Sequence, residues 1–485
     1  MLNAFPRPCC EMIAVFIALA AAPLLSAEPK AAMTAAIDQR TDEYWNIAHQ
    51  IWEFAEPGYQ ETMSSALLAD TLEKAGFDVK RGVAAIPTAF VATAGSGKPV
   101  IGILTEYDAL PGLAQEAQPE RLPRPSANGY GHACGHHLFG TASTAAGIAV
   151  AEQLKAAGKS GTVRVYGCPA EEGGAAKAFM VRDKLFDDCD VVLHWHPSSR
   201  NSAGDASCLS RAAVKFRFKG TSAHAAGAPD QGRSSVDAVE LTAHASELLR
   251  EHTPDFTRIH HTITGGGGAP NVVPDFAEIY FYIRHPQAEV VKKLYPRLVK
   301  CAEGAALATE TKLEVHYLGG TMEILPNETL AQVVLSQLQS LPKLEYTPEE
   351  TAFALRIQET LAKPTALDQL GKVFDSSGEV TKGSTDVGDV SWVVPTAGFS
   401  TTCWVPGTPA HCWQAVAAGG TTLGRKGMLL AAKTMATSAW ELIEHPDTIA
   451  AAKKEHASRR ANRPYDPLVL PNQPPPLDYR NSPVP

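Results

Sequence analysis

The length and composition of the chain indicate an ordinary globular protein with room for more than one domain. It has 485 residues, of which 45% are hydrophobic and 20% are charged, enough apolar material to bury more than one core. The formal net charge of −9 argues against nucleic acid as a partner, because proteins that bind nucleic acid neutralise its phosphates with an excess of lysine and arginine.

Residues 1–27 have the pattern of a secretory signal peptide. An arginine precedes an apolar stretch from Met12 to Leu25, and small residues follow up to Ala27. We therefore expect cleavage after Ala27 and export of the mature protein, to the periplasm if the source is a Gram-negative bacterium. An N-terminal membrane anchor is the alternative, but the apolar run is short for a bilayer and contains Pro23.

Short apolar strands alternate with helices between residues 28 and 208. The predicted elements are helices at 41–54, 64–75 and 141–157 and strands at 100–104, 162–167 and 191–194. This alternation is typical of an α/β domain, in which functional side chains follow the ends of the strands.

The pattern changes between residues 209 and 322. Strands are predicted at 214–218, 257–264, 279–283 and 313–317, with helices at 235–250 and 288–305. Their β-α-β-β-α-β order is the ferredoxin-like arrangement, here an α+β domain inserted into a larger one. The α/β pattern returns over residues 323–462, so we expect a discontinuous first domain. The proline-rich residues 463–485 are predicted to form a tail or strap without regular structure.

Seven cysteines follow the predicted signal peptide, an odd number for an oxidising compartment. Their spacing lacks the framework of a disulfide-stabilised domain, so the sequence leaves open whether any disulfide forms. Cys134 is better explained as a metal thiolate, because metal binding would also shield it from oxidation.

Potential metal ligands cluster next to the predicted strands of the first domain. Cys134 lies in a histidine-rich segment at residues 131–137, Glu171 and Glu172 follow one strand, and the strand at 191–194 leads to His196. Thiolate, imidazole and carboxylate together suit a transition-metal site with hydrolytic potential. If the two glutamates continue the strand, their side chains point to opposite sides, so one can bind a metal while the other faces water.

Several motifs in a fixed order resemble one family of enzymes. They are, in chain order, Ile-Trp-Glu-Phe-Ala-Glu at 51–56, Glu-Tyr-Asp-Ala-Leu-Pro-Gly at 106–112, His-Ala-Cys-Gly-His at 132–136, Ala-Glu-Glu-Gly-Gly at 170–174, Gly-Thr-Ser-Ala-His at 220–224, Asn-Val-Val-Pro-Asp at 271–275 and Ser-Thr-Asp-Val-Gly-Asp-Val-Ser-Trp at 384–392. The set resembles the amidohydrolase branch of the dinuclear aminoacylase/carboxypeptidase metallopeptidases, and within it the aminobenzoyl-glutamate hydrolase group. The resemblance covers nearly all of the mature chain except the tail. It implies a discontinuous α/β metallopeptidase domain with a mixed sheet and an inserted ferredoxin-like lid and dimerisation domain.

The resemblance also implies a metal site. Two divalent ions per subunit, zinc or manganese, would be held by five residues, namely Cys134, His136, Glu172, His196 and His411. Cys134 would bridge the two ions. Glu171 would be the general base, which takes a proton from water and returns it to the leaving amine.

Three residues of the inserted domain match substrate-binding positions of the family. His224 would reach the substrate oxyanion from the partner subunit of a homodimer, whereas Asn271 and Arg284 would hold the substrate carboxylate. An arginine suits that role because its planar fork forms two parallel hydrogen bonds to a carboxylate. Arg284 could equally be a surface charge at the end of a strand.

Alternatives remain open for the other polar residues of these motifs. His132, His137 or His194 could replace a predicted ligand, although strand alternation and the motif order favour the residues named above. Asp108 could orient a ligand histidine from behind, but it and Glu106 could equally be solvated loop residues.

These assignments predict an exported, metal-dependent amidohydrolase. It would cleave the amide bond of N-acyl or N-aroyl amino acids, with aminobenzoyl-glutamate as the leading candidate. A metal-dependent dipeptidase or carboxypeptidase with the same site is the second interpretation. The third is a non-catalytic protein that binds amino-acid conjugates, which Glu171 disfavours because binding alone needs no base.

Overall fold

The computed structural model describes Met1 and residues 28–125 and 128–481 of the chain. The predicted signal peptide and the alternative membrane anchor therefore fall outside the described residues, apart from Met1. Within the described residues, no helix is both long enough and apolar enough to cross a bilayer.

Helices and strands alternate along the described chain. The helices are α1 (Pro29–Gln39), α2 (Thr41–Phe54), α3 (Thr62–Lys74), α4 (His136–Ala157), α5 (Ala176–Arg182), α6 (Ser235–Arg250), α7 (Ala288–Thr309), α8 (Glu328–Ser340), α9 (Pro348–Gln358), α10 (Val387–Val393), α11 (Trp413–Gly419), α12 (Thr422–Glu444) and α13 (Pro446–Arg460). The strands are β1 (Asp78–Arg81), β2 (Phe90–Ser96), β3 (Val100–Thr105), β4 (Leu110–Pro111), β5 (Tyr130–Gly131), β6 (Gly161–Gly167), β7 (Val191–Ser198), β8 (Asn201–Ala203), β9 (Ser210–Lys219), β10 (Arg258–Gly266), β11 (Phe276–His285), β12 (Lys312–Thr321), β13 (Val373–Asp375) and β14 (Thr396–Thr402).

A mixed eight-stranded sheet forms the centre of the first domain, in the order β1-β2-β6-β3-β7-β14-β8-β13. The central strands β6, β3, β7 and β14 are parallel neighbours, whereas β2 runs antiparallel to β6. Every residue of β3 is buried, as expected for a strand covered on both faces. Because β13 and β14 follow the inserted domain in sequence, the domain is discontinuous, and the predicted fold class is confirmed.

Helix α4 packs unusually close to the sheet. A Cβ atom added to Gly147 would lie 2.5 Å from a side-chain carbon of Val165 on β6, so no larger residue fits there without movement. The helix begins at His136, five residues before the predicted start at Thr141. The first turn of α4 therefore carries one of the predicted metal ligands into the core.

The inserted domain has the predicted β-α-β-β-α-β order. Strands β9 to β12 form an antiparallel sheet in the order β10-β11-β9-β12, which is the ferredoxin-like topology. One face of the sheet packs against α6 and α7 through residues such as Phe216 and Phe281. Alternating residues on the opposite face, including Arg211 and Tyr282, line a cavity shared with the first domain.

The proline-rich tail has no helix or strand over residues 463–481, as predicted, but it is packed against both domains. Leu468, Val469 and Tyr479 are buried, and Lys215 of β9 donates a hydrogen bond to the carbonyl oxygen of Tyr479 at 3.0 Å. The tail is therefore a strap fixed to the body of the protein along its described residues.

Candidate metal centre and active site

A cavity of about 630 Å³ lies between the ends of the central strands and the inserted domain. Its wall includes Glu171 and His196 from the first domain and Arg211, Tyr282 and Arg284 from the inserted domain. Polar groups that converge on a concave site of this size are typical of an enzyme that binds a small molecule.

The predicted metal ligands come together in two groups that share Cys134. One group is Cys134, His136 and His196, the other is Cys134, Glu172 and His411, and the candidate ligand atoms of each group lie within 4.8 Å of one another. The sulfur of Cys134 is 3.3 Å from Nε2 of His196, and Oε1 of Glu172 is 3.0 Å from Nε2 of His411. A thiolate common to both groups is the arrangement that a bridging ligand between two ions requires.

The two histidines of the first group are oriented by hydrogen bonds on the far side of their rings. Nδ1 of His136 lies 2.9 Å from Oδ1 of Asp108, and Nδ1 of His196 lies 2.7 Å from the carbonyl oxygen of Pro197. Donation from Nδ1 leaves the lone pair of Nε2 directed at the cluster, as metal ligation requires. Asp108 is 1% exposed, so the interpretation of that residue as a solvated loop residue is wrong.

The two adjacent glutamates face different neighbours, but not for the reason predicted. Strand β6 ends at Gly167, so Glu171 and Glu172 lie in a turn beyond it rather than in the alternating part of the strand. Glu172 faces His411, whereas Oε2 of Glu171 lies 4.0 Å from Nε2 of His136. The turn, and not strand alternation, separates the two carboxylates.

This turn is held on both sides by groups from distant parts of the chain. The backbone N–H of Ala170 donates to Oε1 of the buried Glu61 at 2.8 Å. Arg480 of the tail donates from Nη2 to the carbonyl oxygen of Glu172 at 2.8 Å, and the ring of Tyr479 packs over Gly173. The positions of both glutamates therefore depend on the residue that precedes α3 and on the tail.

The surroundings of the two glutamates also shift their pKa values in opposite directions. Burial raises the pKa of Glu171 well above its usual value, and the carboxylates of Glu106 and Glu172 raise it further. Burial acts in the same direction on Glu172, but the hydrogen bond and charge of His411 outweigh it and hold the pKa of that carboxyl below its usual range. Two carboxyls whose pKa values are driven apart are a common feature of acid–base sites.

The pKa of the Cys134 thiol is lowered, as is typical of thiols that bind metal. Burial and the charge of Glu172 would raise the pKa of this thiol, but the rings of His196 and His136 outweigh both and lower it to about 6. The thiolate is therefore the main form at neutral pH in the absence of metal.

Two competing histidines are engaged elsewhere. Nε2 of His132 lies 2.9 Å from the carbonyl oxygen of Ile51, and Nε2 of His137 lies 3.1 Å from that of Gly419. Both rings are buried, and neither belongs to the candidate ligand groups found among the described residues.

His194 is a closer competitor, because strand alternation does not separate it from His196. Strand β7 continues to Ser198, so the two histidines lie two residues apart on the same face, and both line the cavity. The position along the strand separates them, since it is His196 whose ring reaches the sulfur of Cys134.

Sequence reasoning missed a buried ion cluster beside the ligands. Nζ of Lys177 on α5 lies 2.6 Å from Oε1 of Glu106 and 2.6 Å from Oδ1 of Asp386, and all three side chains are at most 1% exposed. The other oxygen of Glu106 is 3.2 Å from Nε2 of His136. A lysine within an otherwise apolar stretch of α5 was the available signal, but its partners are distant in sequence.

The three substrate-binding candidates of the inserted domain are not all at the cavity. Arg284 lines it and donates from Nη1 to Oγ of Ser384 at 2.9 Å. His224 and Asn271 are exposed and adjacent to each other on the inserted domain, and neither is part of the cavity wall. Nδ1 of His224 accepts a hydrogen bond from the backbone N–H of Gly227 at 3.1 Å.

Comparisons with known proteins agree with this architecture. Residues 210–310 match the family model described as a peptidase dimerisation domain. The chain is 42% identical over 460 residues to one of the subunits of p-aminobenzoyl-glutamate hydrolase of Escherichia coli (strain K12), a match that covers 89% of this chain and 95% of that protein. It is 28% identical over 435 residues to the Xaa-Arg dipeptidase of Mus musculus, covering 86% and 90% of the two chains.

A solved structure supports the fold independently. The crystal structure of a Bacillus subtilis protein, described as a dinuclear metal-binding peptidase from the M20 family, matches with a TM-score of 0.52 at 19% identity. The match covers 84% of this chain and 99% of that one. Because the chain is 42% identical to a subunit of the Escherichia coli hydrolase over most of both lengths, it belongs to the M20 family, in the amidohydrolase branch that contains p-aminobenzoyl-glutamate hydrolase.

Proposed function

We propose that the protein is a metal-dependent amidohydrolase that cleaves N-acyl or N-aroyl amino acids, with aminobenzoyl-glutamate as the leading candidate substrate. The observation that carries the proposal is the pair of ligand groups sharing Cys134, beside the carboxyl of Glu171, which lines the cavity next to His136. The identity of 42% to a protein named as part of p-aminobenzoyl-glutamate hydrolase supports the choice of substrate.

The residues fit two divalent ions, zinc or manganese. Nε2 of His136 is buried and makes no hydrogen bond within the described residues, although Oε2 of Glu106 lies 3.2 Å away, as expected for an atom whose lone pair is directed at a metal. The thiolate and imidazoles suit zinc, whereas the carboxylates also suit manganese. When bound, such ions lower the pKa of a water molecule and stabilise negative charge on the amide oxygen.

The residues around the centre then have separate tasks. Glu171 takes a proton from the attacking water and returns it to the leaving nitrogen, for which a raised pKa is suited. Asp108 fixes the ring of His136 in its orientation. Arg284, which lines the cavity from the inserted domain, pairs with a substrate carboxylate and so positions the amide between the base and the ligand groups.

A dipeptidase is the second candidate, because the Xaa-Arg dipeptidase of Mus musculus aligns with 86% of this chain. The same ligand groups and base would hydrolyse a peptide bond. Substrate preference, rather than the metal centre, therefore distinguishes the two candidates.

The test is amino-acid release from a panel of N-aroyl amino acids, N-acyl amino acids and dipeptides, using metal-replete and chelator-stripped protein. We expect metal-dependent release, fastest from the N-aroyl compounds. Release from dipeptides alone would favour the dipeptidase, and no release from any compound by metal-loaded protein would favour a non-catalytic binding protein.

We also propose that the protein forms a homodimer. The match to a peptidase dimerisation domain supports it, and so does the outer strand β10, whose residues are mostly exposed and whose Ile263 is 55% exposed. Exposure of both His224 and Asn271 is consistent with residues that complete the site of a partner subunit.

We also propose export, to the periplasm if the source is Gram-negative. The pattern of residues 1–27 supports it, and helix α1 begins at Pro29, directly after the predicted cleavage point. The mass of the protein recovered from the native cell would show a mature chain that begins at Glu28, and an intact N-terminus would contradict export by cleavage.

A further inference from the structure

Two arginines of the inserted domain face the cavity without an acidic partner. Arg211 of β9 and Arg284 of β11 are paired directly across the antiparallel sheet, so their side chains project from the same face. Both line the cavity, and Arg211 is only 4% exposed. Within residues 28–125 and 128–481, no carboxylate oxygen lies within the 4.0 Å ion-pair limit of either guanidinium.

The ring of Tyr282 holds both guanidiniums in place. The guanidinium carbon of Arg211 lies 4.6 Å from the ring centre and that of Arg284 lies 5.3 Å from it. Arg284 also donates to Ser384 and to Nε2 of His260, at 2.9 and 3.2 Å. The side chain of Arg211 has no hydrogen-bond partner in the described part of the chain, so its planar set of donors is available to a ligand.

Two other cations at or beside the cavity do have acidic partners. The buried Lys177 has two carboxylate partners, and Arg200, at another part of the cavity wall, is paired with Glu379 at 3.1 Å. A buried cation without a hydrogen-bonded counter-charge is costly. Burial lowers the pKa of Arg284 and the neighbouring charge of Arg211 lowers it further. Burial also acts to lower the pKa of Arg211, but the rings of Tyr282 and Tyr280, and the carboxylates of Glu171 and Asp386 beyond ion-pair distance, outweigh it. An anion bound between the two guanidiniums would relieve their mutual repulsion.

We propose that Arg211 recognises a second carboxylate on the substrate, so that the enzyme prefers N-acyl or N-aroyl derivatives of acidic amino acids. Arg284 holds the α-carboxylate and Arg211 the side-chain carboxylate. Residues directly opposite in antiparallel strands have Cβ atoms about 5 Å apart, a spacing on the scale of the two carboxyl groups of one amino acid. The same charges disfavour a substrate with a cationic side chain, such as an Xaa-Arg dipeptide. The inference rests on the proposed function and assigns the residue that selects acidic amino-acid conjugates among its substrates.

The test compares N-(4-aminobenzoyl)-glutamate with N-(4-aminobenzoyl)-glutamine, which has nearly the same shape but no second charge. Arg211→Met keeps the unbranched part of the side chain nearest the backbone and removes the guanidinium fork. We expect it to lower kcat/KM for the glutamate compound by about 100-fold and to change that for the glutamine compound by less than about 3-fold. Arg211→Lys should restore part of the loss, because it keeps the charge.

Arg200→Met is the matched control, because it removes an arginine of the same cavity that already has an acidic partner. It should leave the ratio of the two kcat/KM values unchanged. An equal loss for both compounds in Arg211→Met, no preference for glutamate in the wild type, or the same effect from Arg200→Met would overturn the proposal while amide hydrolysis itself stands.

A binding experiment tests the role of Arg211 even if the protein hydrolyses none of the compounds. If no compound is cleaved, the proposed function fails, and calorimetry of glutarate and butyrate with the metal-loaded protein still tests Arg211. We expect glutarate to bind at least about 10-fold more tightly than butyrate to the wild type, and the difference to disappear in Arg211→Met. Equal binding of the two acids to the wild type, or a difference that persists in a folded Arg211→Met protein, would overturn the proposal.

Discussion

Adjacent glutamates acquire different chemistry here because a turn gives them different neighbours. Glu172 faces the cationic His411 and shares a candidate ligand group with Cys134, whereas Glu171 lies beside His136 and Glu106 and lines the cavity, buried among carboxylates. The pair of residues therefore offers a direct test of which carboxylate binds metal and which moves a proton.

Glu171→Gln should keep its metal and lose most amide hydrolysis, by about 100-fold or more, because the amide cannot accept the proton. Glu172→Gln should lose metal as well, since it removes the negative charge of a ligand. Metal content per chain by elemental analysis, measured together with steady-state rates, checks both. Equal loss of metal in the two variants would contradict the assignment.

Asp389 predicts a pH dependence of stability away from the metal centre. It is buried and accepts hydrogen bonds from the hydroxyl of Tyr465 at 2.7 Å and the backbone N–H of Met322 at 3.1 Å. Burial raises its pKa to about 7. Because the pKa in the folded state lies above the unfolded value, the stabilisation is complete below about pH 4 and is lost as the pH rises to about 7.

Asp389→Asn should remove this dependence, because the amide mimics the neutral acid. Relative to the wild type, the variant should gain on the order of 2 kcal/mol in free energy of unfolding between pH 5 and pH 8. Chemical denaturation of the metal-free proteins at the two pH values measures the gain. The same difference between variant and wild type at both pH values would refute the prediction.

Sequence reasoning named the residues that the structure brings together at the centre, but not the residues that support them. Cys134 and His136 are close in sequence, so a motif reveals them. Lys177 and Asp386 are 209 positions apart. The proposed role of Arg211 depends on its position opposite Arg284 in the neighbouring strand. Pairings of this kind depend on the tertiary fold, which one sequence does not display.

At the scale of elements, the inserted domain was predicted closely because its strands alternate and its helices are amphipathic. The start of α4 was missed because Gly135, His136 and His137 are not residues that typically begin a helix. The strand β7 was predicted too short, because its polar residues at the cavity interrupt the apolar pattern. In both cases the deviation from the local pattern lies at the candidate site.

The tail is an element that composition alone describes incompletely. Its prolines exclude regular structure, yet Arg480 is bound to the turn that carries Glu172. Arg480→Ala should loosen that turn and raise the dissociation constant of the metal by about 10-fold, the effect of one hydrogen bond from a charged donor.

Leu470→Ala is the control for this prediction, because Leu470 lies in the same tail and is 56% exposed. Competition with a chelating dye measures the metal affinity of both variants. Affinities that stay at the wild-type value in Arg480→Ala, or that fall equally in both variants, would show that the contact with Glu172 has no role in metal binding.

At the scale of the whole molecule, the proposed site is incomplete in one chain. His224 and Asn271 are exposed and lie outside the cavity wall, whereas the ligand groups, the base and both cavity arginines come from a single subunit. The exposed edge of β10 offers a surface through which a second copy would bring these residues to the site.

Mixing two inactive variants tests this arrangement. Glu171→Gln and His224→Ala should each be inactive, but a mixed dimer has one site with an intact Glu171 and an intact His224 from its partner. Random exchange at equal amounts makes half of the dimers mixed, so about a quarter of wild-type activity should return. Absence of recovery after subunit exchange is verified would mean that His224 does not act across a dimer.

Metal-dependent amide hydrolysis is the central claim, and stepwise metal addition tests it most directly. Metal-free protein is titrated with zinc or with manganese, and both bound metal and release of glutamate from N-(4-aminobenzoyl)-glutamate are measured at each step. We predict no release without metal and a rise to a plateau as two ions bind per chain. Full release by the metal-free protein, or saturation with metal without any release, would contradict it.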